Sequence, residues 1–112
     1  MLFRYLVDLA QSWSQAKIWL SQVLGLSPDA LHVHVSILAM LAAAVLWRQR
    51  MDRVLPWLTV LALEIVNEML DLSAPDSGEN TLHASLHDLA NTMFLPTIIL
   101  VCLRFTRTWR RA

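Results

Sequence analysis

The sequence predicts an all-α fold, a small membrane helical bundle with one N-terminal amphipathic interfacial helix and three transmembrane helices. Apolar residues make up 56% of the chain, above the roughly 45–50% of ordinary soluble domains. Only two glycines occur, and no β-rich alternation of apolar and polar residues is present. The arginines lie in two clusters beside apolar segments, as they do at the ends of membrane helices. The 112 residues suffice for one small domain.

The composition excludes several classes of function. The chain carries 9 Lys and Arg and 9 Asp and Glu, a formal net charge of zero, which argues against a nucleic-acid partner. The single cysteine, Cys102, rules out an internal disulfide and a Cys-based metal cluster. Two glycines are too few for a Gly-rich phosphate-binding loop. The sequence therefore predicts no cofactor.

Basic and acidic residues are segregated along the chain. Segments 48–53 and 104–111 are rich in arginine, whereas segment 71–80 contains acidic residues and no Lys or Arg. Cytoplasmic loops of membrane proteins carry an excess of Lys and Arg. The pattern predicts a multi-pass protein of the inner (cytoplasmic) membrane. Its basic loop 48–53 and its C-terminus would be cytoplasmic, and its loop 72–83 extracytoplasmic.

The first helix is predicted over residues 2–24. At roughly 100° per residue, its polar side chains share one narrow face, which contains Arg4, Asp8, Gln11, Gln15 and Gln22. Leucines and Trp13 lie opposite, so the helix is amphipathic and predicted to lie on the outer membrane surface. Asp8 and Lys17 interrupt the apolar stretch, which makes it a poor signal peptide. Residues 1–26 therefore form the interfacial helix.

Three further helices are predicted to span the membrane. The second runs from about 28 to 51, after Ser27 as N-cap and Pro28 as the first helical residue. The third runs from about 54 to 72. The fourth covers roughly 81–108, and Pro96 is expected to kink it or unwind it locally. Residues 27–112 thus form a three-helix transmembrane domain with a basic cytoplasmic tail.

Tryptophans support this membrane placement. Trp47, Trp57 and Trp109 lie next to the arginine-rich segments, where an aromatic belt is expected. The alternative is a soluble four-helix bundle, or an oligomer with an extensive apolar interface.

Polar residues recur on one face of each predicted transmembrane helix. In LALEIVNEML, residues 61–70, Glu64 and Glu68 lie inside an apolar run. A carboxylate in such surroundings is costly and marks a functional-site hypothesis. At helical spacing, the three polar faces could converge on one outward-facing polar pocket, formed by Asp29, His32, Glu64, Asn67, Glu68, Asp88 and Asn91. The alternative role is hydrogen bonding between helices, which we favour for Asn67, His34 and Thr92.

A metal site is a second interpretation of the same region. His83 and His87 are spaced to place two imidazoles on one helical face, and Asp88 could add an oxygen ligand. Spacing alone is weak support, because no HExxH motif is present. The sequence therefore predicts no bound metal, with His83, His87 and Asp88 as the candidates if one is present.

Three short motifs resemble those of the VanZ-like membrane proteins. PDALH (28–32) resembles the family's first element, a helix that begins with Asp and His. EIVN (64–67) resembles its E-x-x-Q, with Asn67 in place of glutamine, and DLAN (88–91) resembles its D-x-x-N. The resemblance covers roughly residues 28–104. It implies an integral membrane protein, in some members associated with glycopeptide-antibiotic tolerance at the cell envelope. By motif position it points to Asp29, His32, Glu64, Asn67, Asp88 and Asn91.

The leading hypothesis is a small integral membrane protein, not an enzyme, whose pocket recognises a lipid headgroup or a cell-envelope precursor. Glu64 and Asp88 would accept hydrogen bonds, and Asn67, Asn91 and His32 would orient them. Membrane lipid would then be the main partner. The alternative is a structural or accessory subunit that packs against larger membrane proteins or against further copies of itself. A third hypothesis is a metal-assisted membrane hydrolase that uses His83, His87 and Asp88.

Overall fold

The chain is all-helical in a computed structural model that describes residues 1–74 and 81–111. The helices are α1 (Leu2–Leu24), α2 (Pro28–Leu46), α3 (Val54–Ser73) and α4 (Leu82–Arg111), and the described ranges contain no strand. The all-α prediction is therefore confirmed. The acidic loop residues Asp76 and Glu79 lie outside the described residues.

Local sequence explains where α1 ends and α2 begins. Gly25 adopts the left-handed conformation, with φ 66°, which a residue without Cβ adopts at little cost. Two backbone bonds close this end, from Gly25 N–H to Gln22 and from Leu26 N–H to Ser21, as in a Schellman motif. The Ser27 hydroxyl then accepts a hydrogen bond from Ala30 N–H at 3.2 Å. Ser27 is thus the N-cap, as predicted.

The helix α2 ends at Leu46, earlier than the predicted position near 51. Arg48 has φ 52°, and the N–H groups of Arg48 and Gln49 bond to the carbonyls of Val45 and Ala44. This is a second Schellman motif, here with arginine in the position that glycine usually takes. Because no glycine at position 48 marks this turn in the sequence, the predicted end of α2 was wrong.

The helix α4 extends to Arg111, three residues past its predicted end, and remains helical through Pro96. The local unwinding expected at Pro96 does not occur. Pro96 nevertheless has no N–H to donate to the carbonyl of Thr92, four residues earlier. That carbonyl therefore lacks its usual helical hydrogen bond.

Helices α2, α3 and α4 all pack against one another, and α1 packs mainly against α3. One end of the bundle interior is apolar and is centred on Met40, Val60 and Met93. On α3 the buried face runs from Pro56 and Val60 to Glu64, Asn67 and Asp71. The interior therefore changes from apolar to polar along the axis of the bundle.

Large apolar side chains cover the outside of the bundle. They include Leu38 and Leu46 of α2, Leu63 and Val66 of α3, and Phe94 of α4. Buried polar residues with exposed apolar ones invert the usual pattern of a soluble domain. By length and composition, α2 and α4 could each cross a membrane.

The side of α1 that faces the bundle combines small, polar and apolar residues, among them half-buried Leu20. Ala10 is buried, and Gln11, Ser14 and Lys17 are half-buried. Leu2, Phe3, Leu6 and Leu9 on the other side are exposed, and so are most of the polar residues of the predicted face. Trp13 donates a hydrogen bond to Asn67, and Lys17, four residues later in α1, donates one to Asp71, four residues later in α3. Helices α1 and α3 therefore run side by side in the same direction.

Candidate functional site

The polar end of the bundle contains four acidic side chains, which we call the carboxylate cluster. Its members are Glu64, Glu68 and Asp71 of α3 and Asp88 of α4. Glu64, Asp71 and Asp88 are buried, with 6%, 1% and 6% of their surface exposed. The spacing of 64, 68 and 71 places the α3 members on one helical face. Glu64 contacts Glu68 and Thr92, and Asp88 lies close enough to repel its charge.

His32 of α2 lies between the two helices that carry the cluster. Its Nδ1 is 3.0 Å from the Thr92 hydroxyl oxygen and 3.6 Å from Glu64 Oε1. Its Nε2 is 3.6 Å from Asp88 Oδ2. His32 is one turn before Ser36 and two before Met40, both buried, so the inward face of α2 directs it to this position. His32 therefore joins α2, α3 and α4 through a single imidazole.

Helix α1 contributes a cation to the same end of the bundle. Lys17 Nζ donates a hydrogen bond to Asp71 Oδ1 and lies 3.4 Å from Asn67 Oδ1. Trp13 Nε1 donates to Asn67 Oδ1 at 2.8 Å. Sequence reasoning missed Lys17 and Trp13 as site residues, because α1 was expected to lie apart from the bundle. Their spacing of four residues on one face was the available signal.

Glu64 and Glu68 each have one carboxyl oxygen that makes no hydrogen bond in the described part of the chain. Within the described ranges, Glu64 Oε1 and Glu68 Oε2 are buried and have no hydrogen-bond partner. Such a group costs about 1–3 kcal/mol, and more when it is charged. These two oxygens can therefore accept hydrogen bonds from a further donor.

The other predicted pocket residues lie at the rim. Asp29 and His87 are exposed, with His87 Nδ1 3.6 Å from Asp29 Oδ1. Half-buried Asn91 places its Nδ2 3.4 Å from the same ring nitrogen. The predicted pocket is thus divided. His32, Glu64, Asn67, Glu68 and Asp88 lie together inside, whereas Asp29 and Asn91 lie with His87 outside.

The predicted metal candidates are only partly brought together. Asp29, His87 and Asp88 each place one donor atom within 4.8 Å of the others. His83 is exposed, and in the described part of the chain it belongs to no such group. Of the predicted candidates, the structure brings His87 and Asp88 together, and His83 does not belong to their group.

A cavity of about 420 Å³ opens beside the cluster, between α1, α2 and α3. Apolar side chains such as Leu31, Val60 and Leu63 line most of it. Its polar part is lined by Lys17, His32, Glu64, Asn67 and Thr92. The volume falls within the ~300–1,000 Å³ of small-molecule sites. The cavity therefore combines a mostly apolar wall with a small group of polar side chains.

The opposite end of the bundle is strongly basic. Asp52 is nearly buried there, and its Oδ2 accepts a hydrogen bond from Arg107 Nη1 at 2.9 Å. Arg104 Nε donates to the Asp52 carbonyl at 2.9 Å, and Arg50 Nε lies 3.3 Å from Oδ1. Burial would raise the pKa of Asp52, but the hydrogen bond from Arg107 and the charges of Arg50 and Arg107 outweigh it and lower that pKa. Asp52 therefore connects the loop before α3 with the C-terminal part of α4 through hydrogen bonds.

No family model, no curated protein and no solved structure matches the chain. The function must therefore be argued from the site itself.

Proposed function

We propose that the chain is a small integral membrane protein that binds the polar headgroup of a membrane lipid or lipid-linked envelope precursor. The observation that carries the proposal is the cavity whose mostly apolar wall includes Glu64. Glu64 is buried, and its Oε1 has no hydrogen-bond partner within the described ranges. An amphiphile suits such a cavity, because its acyl chain fits the apolar part and its headgroup reaches the polar part.

The charge of the site indicates which headgroups it would favour. Four carboxylates of the cluster are accompanied by the cations Lys17 and, when protonated, His32. A headgroup that donates hydrogen bonds through an ammonium or hydroxyl group suits this excess of acceptors. A headgroup without such donors would give Glu64 Oε1 no hydrogen bond. Ethanolamine lipids are therefore favoured over choline lipids.

The proposed topology places both arginine-rich ends in the cytoplasm and the carboxylate cluster toward the outer side. The segregation of charge along the sequence supports this orientation. We propose three spanning helices, α2 to α4, and α1 beside α3. This arrangement and the three motifs are compatible with a VanZ-like protein.

The test is photo-crosslinking in vesicles with two lipids that share a diazirine-bearing acyl chain, one phosphatidylethanolamine and one phosphatidylcholine. We expect the wild-type chain to be labelled preferentially by phosphatidylethanolamine. Glu64→Gln should weaken that binding about tenfold or more while leaving membrane insertion intact, because an amide replaces the carboxyl group that would accept the headgroup's hydrogen bond. Asp8→Asn, which makes the same chemical change at an exposed site on α1, should label like wild type. Equal labelling of Glu64→Gln and wild type would contradict the proposal.

A second candidate function is a structural subunit for a larger membrane protein. The exposed apolar side chains of α1, among them Phe3, Leu9 and Trp19, favour it. Such a subunit would tolerate Glu64→Gln and lose its partner on substitution of Leu9 by a charged residue. Glu64→Gln and a charged substitution at Leu9 therefore distinguish lipid binding from a structural role.

A further inference from the structure

We infer that the basic end of the bundle binds the headgroup phosphate of an anionic membrane phospholipid. Two adjoining hollows of about 370 and 570 Å³ lie there, between the loop before α3 and the C-terminal part of α4. Asp52, Arg107 and Arg111 line both hollows, which together we call the arginine site. Six arginines line the site in all: Arg50, Arg53, Arg104, Arg107, Arg110 and Arg111.

The arginine site carries a large excess of positive charge. Asp52 is the one acidic residue among its described lining residues, so six arginines and one carboxylate leave a net charge of +5. Asp52 forms ion pairs with two of the six. Arg53, Arg110 and Arg111 are exposed and make no ion pair within residues 1–74 and 81–111. Their guanidinium groups are therefore available to an anion from outside the chain.

The structure also holds some of these donors in position. Arg104, Arg107 and Arg111 share one face of α4 by their spacing of three and four residues, and all three line the second hollow. Arg107 Nη1 donates to Asp52 Oδ2, and Arg104 Nε donates to the Asp52 carbonyl, both at 2.9 Å. Each bond uses one of the five N–H donors of its guanidinium group. The remaining donors are thus fixed beside the hollows, and their planar fork matches the geometry of a phosphate group.

Apolar side chains beside the site favour a lipid over a free anion. Leu103 lines the first hollow and directly precedes Arg104 in the chain. Val101, Phe105 and Trp109 of the same part of α4 are exposed. In the membrane placement proposed above, the apolar part of α4 ends here, which puts the arginines at the depth of the headgroups. An acyl chain could then lie along the apolar side chains while its phosphate reaches the arginines, as at other basic clusters next to membrane helices.

The arginine site is separate from the cavity at the polar end of the bundle. The cavity beside Glu64 offers mainly hydrogen-bond acceptors, whereas the arginine site offers mainly charged donors. The inference rests on the membrane placement proposed above, but not on lipid binding beside Glu64. Glu64→Gln should therefore leave binding at the arginine site unchanged.

The test is electron paramagnetic resonance of the full chain in phosphatidylcholine vesicles that contain a trace of lipid with a spin-labelled acyl chain. The labelled lipid is either phosphatidylglycerol or phosphatidylcholine, and the motionally restricted fraction of its spectrum measures association with the protein. We expect wild type to prefer phosphatidylglycerol about fivefold. Arg111→Gln should reduce this preference to about twofold or less, because it removes a guanidinium group common to both hollows.

The matched control is Arg48→Gln. Arg48 is exposed in the basic loop but lines neither hollow, so this variant changes the net charge equally without altering the site. Arg48→Gln should keep most of the wild-type preference, and so should Glu64→Gln. A diffuse attraction between the basic end and an anionic lipid would instead fall equally in Arg48→Gln and Arg111→Gln.

Four results would overturn the inference. They are equal association of both lipids with wild type, an equal decrease in Arg48→Gln and Arg111→Gln, and a decrease in Glu64→Gln that matches the decrease in Arg111→Gln. The fourth is loss of the preference in millimolar inorganic phosphate at constant ionic strength, which would show that the site binds a free anion. If circular dichroism shows that Arg111→Gln has lost helix, Arg110→Gln replaces it and should also lower the preference, because Arg110 lines the first hollow.

Discussion

Asp52 shows how one buried carboxylate can stabilise the basic end of the bundle. It accepts a hydrogen bond from Arg107, lies 3.3 Å from Arg50 Nε, and binds Arg104 through its carbonyl. The guanidinium groups of Arg107 and Arg50 lower the pKa of Asp52 below the ordinary 3.8 despite its burial. A lowered pKa in the folded state means that the unfolded chain takes up the proton more readily. The stabilisation is therefore complete above pH 3.8 and is lost as the pH falls through the folded-state pKa.

We predict that Asp52→Asn lowers thermal stability at neutral pH. The difference in Tm between wild type and variant should shrink as the pH is lowered below about 3.8, where the wild-type carboxylate becomes protonated. Thermal denaturation in detergent between about pH 3 and pH 7 measures it. Asp8→Asn, at an exposed position, serves as the control and should show no such pH dependence. A Tm difference that is constant across this range would contradict the prediction.

At the residue scale, sequence could identify polar residues on inward faces but not the partners they meet. Glu64 was recognisable because its neighbours are apolar. His32 and Asp88 were recognisable from helical spacing. Lys17 was not, because only the packing of α1 against α3 brings it within reach of Asp71. Long-range contacts of this kind depend on the relative positions of helices, which periodicity does not encode.

Helix ends differ in how clearly the sequence marks them. Ser27 and Pro28 fixed the start of α2, and Gly25 the end of α1, because their side chains or backbone freedom act locally. The end of α2 at Leu46 was missed, since Arg48 takes the left-handed conformation without the glycine that would announce it. Pro96 was expected to interrupt α4, yet the helix continues through it with Pro96 buried. Tertiary packing overrides local preference at both places.

We predict that Ser27→Ala destabilises the fold by about 1 kcal/mol, within a range of roughly 0.5–2 kcal/mol. The substitution removes the hydroxyl that accepts the Ala30 N–H, and this leaves one donor at the start of α2 unsatisfied. Equilibrium unfolding in mixed detergent micelles measures the change. Ser27→Asp should retain most of the stability, because Asp is also a good N-cap.

The control for this cap is Ser12→Ala. Ser12 is exposed within α1, where alanine is at least as favourable for the helix. If Ser12→Ala and Ser27→Ala prove equally stable, the N-cap does not contribute as inferred.

The molecule as a whole combines an apolar exterior with a polar interior at one end. It measures 56 Å along its longest axis, well beyond the ~30 Å of a bilayer's hydrocarbon core. The 30 residues of α4 extend about 45 Å at 1.5 Å per residue. In the proposed membrane topology, the arginine-rich end of α4 would therefore project past the hydrocarbon layer around its apolar part.

We predict that the chain stays in the membrane pellet after alkaline carbonate extraction of expressing cells. The exposed apolar side chains of α2, α3 and α4 would lose their contact with lipid if the chain were released. Immunoblotting of pellet and supernatant measures the distribution, with a known peripheral protein as the control for release. Recovery in the supernatant would instead indicate a soluble or peripheral bundle whose apolar exterior is a subunit interface.

The bond between Lys17 and Asp71 also has a consequence for biosynthesis. The two residues are 54 positions apart in the chain, so α1 leaves the ribosome well before its partner is made. Until then, entry into the bilayer would expose an unpaired lysine to hydrocarbon, which costs about 2.5–3.5 kcal/mol at the centre of a helix. In the proposed topology, the nascent α1 would therefore stay at the water–lipid boundary during translation. It would then dock beside α3 only when Asp71 arrives, so the first helix to be synthesised would take its place after the two helices that follow it.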